Sequence, residues 1–224
     1  MWNGFRYTSC KTKFCCHTHG LPIIIFATIF LLLIGCDTGD DLSQPLDAPP
    51  LQRTFSIVGH TTIFNQICFQ SNYYENGVLA EIQYFLFEDD TVYLKGYEEI
   101  GGDPVEINAI FSPANPQVGT EWYGLYGYPA KFIVEDLSNV SVPAGIFNSF
   151  IYSISDSITG ELIGSMILAE NIGLVAMTQI LSSSGSLSMV LEAFTIYEGE
   201  GVFPLAAGNN WQLVEGTYTI DGSN

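Results

Sequence analysis

The sequence predicts an all-β domain, either an antiparallel sandwich or a partly open barrel. Three observations carry this. Short runs rich in Val, Ile, Tyr and Phe alternate with polar residues at a period of two. Turn residues return at roughly hairpin spacing. No stretch of useful length shows the periodicity of an amphipathic helix, so the strands must cover one another.

From Arg53 onward the chain reads as strands and turns. Residues 79–87 place Ala80, Ile82, Tyr84 and Leu86 on one face, Glu81 and Gln83 on the other. Glu88-Asp89-Asp90 turns the chain back into residues 91–97, which makes a hairpin. Strands follow over 105–111 and 131–135. Residues 147–155 set Phe150, Tyr152 and Ile154 against Ser149, Ser153 and Ser155, and Asp156 to Gly160 turns them back into 161–168. Residues 174–181 and 187–196 flank the loop Ser182-Ser183-Ser184-Gly185, and a last strand is expected over 211–220. One short echo joins two loops. Ile110 to Trp122 and Val202 to Trp211 each place Phe and Pro ahead of a glycine and a Trp. A proline-fixed loop, a glycine turn and an aromatic that starts a strand account for both copies. Two uneven copies do not make a repeat architecture.

The N-terminal segment has a different character. Arg6, Lys11 and Lys13 precede an apolar run from Leu21 to Ile34, and Gly35-Cys36 closes it. The run is short for a membrane span, which needs about 20 apolar residues, and suits a signal h-region. Asp37, just past the cysteine, is the first acid in the chain. This order resembles a bacterial lipoprotein signal peptide with the lipobox Leu33-Ile34-Gly35-Cys36. The resemblance implies cleavage before Cys36 and lipidation of its thiol, which anchors the protein to the membrane. Two or three acyl chains suffice for stable anchoring. Asp37 in second position resembles the inner-membrane retention signal of enteric bacteria. That rule does not hold in other phyla, so the leaflet stays open. Cys10, Cys15, Cys16, His17 and His19 have zinc-like spacing but would leave with the signal. The expected organisation is a signal peptide over 1–35, then the lipidated cysteine and an acidic, proline-rich tether over 36–52. A single β domain fills 53–224.

Further segments carry a second resemblance. Phe203-Pro204-Leu205, followed by Gly208-Asn209 and Trp211, is similar to a motif of uncharacterised bacterial lipoproteins. Val140-Ser-Val-Pro143-Ala-Gly145-Ile-Phe147 and Ile172-Gly-Leu-Val175 resemble other elements of the same group. In that group the Phe-Pro-Leu segment opens the domain, whereas here it comes late. The resemblance implies a β-rich, membrane-anchored domain with no established chemistry. Its motif residues read as architectural, with Pro143 and Gly145 shaping a turn and Phe147 beginning a buried strand.

Composition narrows the function classes. Past residue 35 the only cations are Arg53, Lys95 and Lys131, against all 24 acids. No basic patch can be built, so nucleic acid is excluded as a partner, and anionic head groups repel the domain. Once Cys36 carries lipid, Cys68 is the only remaining thiol, and its neighbours Ile67 and Phe69 mark it as a core residue.

Candidate chemistry is sparse. His60 is the only histidine after the signal, and no nucleophile-elbow motif accompanies it, so no catalytic residue is assigned and no enzyme is expected. Glu98, Glu99, Asp103 and Glu106 flank Gly101-Gly102 and could collect calcium, because hard cations take carboxylate oxygens. No other cofactor is expected. Trp122, Tyr123, Tyr126 and Tyr128, interleaved with glycines, are the ligand-binding candidates, since such rings stack on sugars or clamp apolar ligands. The competing account of them is a strand and loop that cover one end of the core. The expectation is a lipid-anchored module of the bacterial cell envelope without catalysis, binding an envelope protein or a small ligand, or structural. Two alternatives stand beside it. A lipid or apolar-ligand carrier would need an open barrel with a large apolar cavity. A carbohydrate-binding or carbohydrate-active domain would need two carboxylates beside the 122–128 aromatics.

Overall fold

A computed structural model describes residues 50–125, 129–181 and 185–220. Among these residues, thirteen strands form one antiparallel sheet. In chain order they are β1 (Gln52–Ile63), β2 (Gln66–Glu75), β3 (Val78–Glu88), β4 (Thr91–Glu99), β5 (Val105–Pro113), β6 (Glu121–Leu125), β7 (Pro129–Val142), β8 (Gly145–Asp156), β9 (Leu162–Ala169), β10 (Gly173–Leu181), β11 (Gly185–Thr195), β12 (Asn210–Glu215) and β13 (Thr219–Ile220). The all-β antiparallel expectation therefore holds.

Most neighbours in the sheet are neighbours in sequence, as short hairpin connections favour. The strands run in order from β1 to β5 and from β7 to β12, and β12 then pairs with β1. Strand β6 covers part of the outer edge of β7, and β13 covers another part. The two ends of the sheet come together where β6 meets β5. A Cβ on Gly124 would sit 2.6 Å from the Ile110 carbonyl oxygen, so only glycine permits this approach. No ladder joins β5 to β6 among the described residues, and the sheet stays unclosed.

The hairpin 79–97 and the strands over 105–111, 131–135, 147–155, 161–168, 174–181 and 187–196 appear where the periodicity puts them, mostly with longer bounds. Two features differ. The last strand is broken: β12 ends at Glu215, and the chain then crosses to pair Thr219 with Ser141 of β7. Tyr218, on the way, brings its hydroxyl within 3.3 Å of Thr178 Oγ1. The polar side of β3 also turns out to face inward. Glu81 and Gln83 point into the packed face, opposite Tyr73 and Ser71 of β2, and are 2 % exposed each. The outward neighbour Tyr84 is covered as well. Phe64 of the β1–β2 turn lies edge-on to its ring, and its hydroxyl donates to Glu98 at 2.7 Å. With both faces covered, alternation no longer reports which is inside.

Gly96 shows how tightly that outer cover fits. A Cβ there would meet the Val105 carbonyl oxygen at 2.3 Å and the Phe64 ring at 2.4 Å. Cys68 is fully buried, and burial pushes its thiol upward while Lys95 pulls weakly the other way. Lys95 donates to Asn108 Oδ1 at 2.6 Å, with Asn108 in the left-handed region at φ 61°.

One apolar cluster spans the sheet. Aromatic contacts organise it at two centres. Trp122 stacks on Phe132 and meets Tyr152 edge-on, while Phe203 stacks on Trp211 and leans on Phe85 and Phe111. Such pairs contribute beyond the area they bury.

Candidate functional site

The aromatic stretch after residue 121 is divided by strand alternation. Trp122 is buried against Phe132, with ring centroids 5.2 Å apart and planes 5° from parallel. Tyr123 points the other way and is 62 % exposed. Successive residues of β6 therefore present one ring to the core and one to solvent. Tyr126 and Tyr128 lie outside the described residues, as does Cys36. Beside Tyr123, Lys131 and Glu121 form a 2.7 Å ion pair, and that bond raises the Lys131 ammonium above the usual lysine range.

The acidic group around Gly101-Gly102 is spread over two strands and a turn. Glu98 and Glu99 alternate along β4, and Glu98 accepts the Tyr84 hydroxyl. Asp103 lies in the exposed turn, while Glu106 stands on β5 opposite Gly96. Among the described residues, no three His, Cys, Asp or Glu side chains converge as a metal site would require. His60 is exposed, and its ring packs on Phe69 with centroids 4.2 Å apart.

Sequence reasoning passed over a buried polar row across β1, β2 and β3. Arg53 is fully buried and donates from Nη2 to Glu75 Oε1 at 3.2 Å. Its guanidinium carbon lies 5.9 Å from the centre of the Tyr73 ring, within cation–π range. Tyr73 faces Glu81 across the ladder, and Glu81 accepts from Gln83 Nε2 at 2.7 Å. Buried polar groups of this kind need partners; Glu75 and Gln83 supply two of them, while the Tyr73 hydroxyl has no hydrogen-bond partner among the described residues. Single charged letters inside apolar runs gave no signal that they would turn inward.

Two tyrosines in the interior make the fold sensitive to alkali. Tyr73 and Tyr152 are fully buried, and loss of solvation pushes both phenols well above the ordinary tyrosine range. Around Tyr73, Arg53 pulls back weakly while Glu75 and Glu81 push further up; beside Tyr152, Ser112 pulls weakly back. Below about pH 10 both phenols are neutral in the folded and unfolded chains alike. Above it the unfolded chain ionises and the folded chain does not. The stability is therefore fully present below pH 10 and falls as pH rises, by about 1.4 kcal/mol per pH unit for each phenol. Chemical denaturation between pH 8 and 11, followed with tyrosinate absorbance, checks this. Two phenols that ionise freely while the circular dichroism stays native would contradict it.

A cleft lies where the loop between β11 and β12 packs as a plug over one end of the sheet. Val202, Phe203 and Pro204 are buried there, and Asn209 holds the loop in shape. The Asn209 side chain donates to the carbonyls of Glu198 and Pro204 and accepts from the Tyr197 amide, all between 2.8 and 2.9 Å. Backbone bonds tie the loop to three other places: Val202 to Ala114, Asn171 to Gly201, and Gly208 to Ile57. Gly208, at φ +92°, lets the Tyr197 ring lie where a Cβ would stand. The Phe-Pro-Leu and Gly-Asn letters noted in the sequence thus build this plug. Between the plug, the β3–β4 turn and the chain after β5, this cleft has about 270 Å³, and Phe69, Phe87, Phe203, Asp90, Asn115 and Glu200 are among its lining residues.

No protein-family model matches this chain, and no curated protein or solved structure matches it.

Proposed function

We propose that this chain is a lipid-anchored, exported module of the bacterial cell envelope that binds a ligand or partner without catalysis. The observation that carries the proposal is the order of basic residues, short apolar run and Leu33-Ile34-Gly35-Cys36. The acidic, proline-rich segment after it then acts as a tether, and the first strand begins at Gln52. The motif resemblance to uncharacterised lipoproteins supports the same reading, because its residues hold turns and the plug. A carrier with an apolar chamber is a weaker account, since the aromatic rings of the two core centres occupy the space between strands. The sugar reading also loses support, since Trp122 is buried in the core and Tyr123 faces away from it.

Cells expressing the chain and supplied with labelled palmitate are expected to label it, and Cys36→Ala is expected to abolish the label and block processing. The intact mass should match a chain beginning at a diacylated or triacylated Cys36. Label retained in Cys36→Ala, or a mature protein that keeps residues 1–35, would sink the anchoring reading.

A further inference from the structure

We propose that the cleft at the plugged end of the sheet binds a small organic cation, an aliphatic amine or quaternary ammonium group. Three aromatic side chains are among its lining residues: Phe69 from β2, whose ring also packs on His60, Phe87 from the end of β3, and Phe203 from the plug. Ring faces carry negative quadrupole charge and attract a cation placed over them. Asp90 and Glu200 stand at the rim, both exposed, and no lysine, arginine or histidine lines the cleft. The domain's other described cations are engaged elsewhere, with Arg53 on Glu75, Lys95 on Asn108 and Lys131 on Glu121. The strong acidity of the whole chain adds a field of the same sign. A cleft of mixed aromatic and polar lining, with carboxylates at its rim, selects an ammonium on an apolar body over a neutral or anionic analogue.

The volume fits such a ligand. About 270 Å³ is room enough for a small trialkylammonium group. The cleft is also preformed. Phe203 is fixed between Trp211 and Phe111, and Ala114 is bonded to both Asp90 and Val202 through backbone groups. A rigid wall spares the ligand the cost of ordering it.

The proposal deepens the binding-module reading and is tested apart from it. Choline and 3,3-dimethylbutan-1-ol differ in shape very little, but only choline is charged. Saturation-transfer NMR on the full chain in nonionic detergent, with empty micelles as the blank, would measure both. Choline is expected to bind about tenfold more tightly than the alcohol, as cation–π and rim charges together imply. Added salt should narrow the gap. The double variant Asp90→Asn/Glu200→Gln, which changes only exposed side chains, should reduce the difference severalfold, and Phe87→Ala should weaken choline. Equal binding of the two probes, no binding of either, or choline binding unchanged in the double variant would overturn the proposal. None of those results would touch palmitate labelling at Cys36, so failure of the cleft and failure of the anchor are distinguishable.

Discussion

Trp211→Ala is expected to lower stability by about 3–5 kcal/mol, among the largest effects of any single apolar substitution in this domain. Trp211 is 1 % exposed. It stands on β12 where that strand joins β11 to β1, opposite Phe55 on one side and Phe194 on the other. Its ring stacks on Phe203 with centroids 5.3 Å apart and planes 10° from parallel. Its indole N–H donates to the Ile172 carbonyl. Gly173, at φ +95°, lies so close that a Cβ there would meet the indole nitrogen at 2.7 Å. Truncation to alanine removes the ring, opens a cavity beside Phe203 and leaves the part-buried Ile172 carbonyl without its donor. Urea denaturation would show the loss as a lower midpoint. Trp211→Phe separates the contributions, since it keeps most of the packing and loses only the N–H. A loss near zero for Trp211→Ala would mean that the plug does not depend on this ring. The cleft readout should fall in parallel, because Phe203 loses the surface that fixes it.

The same residue marks how far the sequence could be read. Period two and turn letters are local, so hairpins such as 79–97 and 147–168 were legible from them. The Phe-Pro-Leu and Gly-Asn-x-Trp letters were legible as a fixed loop, because proline and glycine constrain the backbone directly. What that loop packs against was not, since the contacts of Phe203 with Phe85 and Phe111 join strands far apart in sequence. Which face of β3 turns inward was illegible for a related reason. Glu81 and Gln83 look solvent-facing until Tyr73 and Ser71 are set beside them by pairing. The cleft was illegible altogether, because Phe69, Phe87 and Phe203 come from three segments and no spacing connects them.

Arg53→Ala is expected to cost about 3–5 kcal/mol, comparable to the loss of Trp211 but by a different mechanism. The guanidinium is fully buried, bonded to Glu75 and set over the Tyr73 ring. Its removal leaves the Glu75 carboxylate without the cation that the fold places beside it. Taking two charges out of water is expensive, and their mutual attraction repays this only while both remain. The double substitution Arg53→Met/Glu75→Leu is therefore expected to be less damaging than Arg53→Ala, because no charge of that pair is stranded. A double-mutant cycle on Arg53 and Glu75, read by chemical denaturation, isolates the coupling from the loss of the arginine stem's packing. If the double variant were as unstable as the sum of its single variants, the ion pair would not be what holds this row together. The remaining burden would then fall on the stacking of Arg53, Tyr73 and Phe55, whose Tyr73 and Phe55 rings lie 5.0 Å apart.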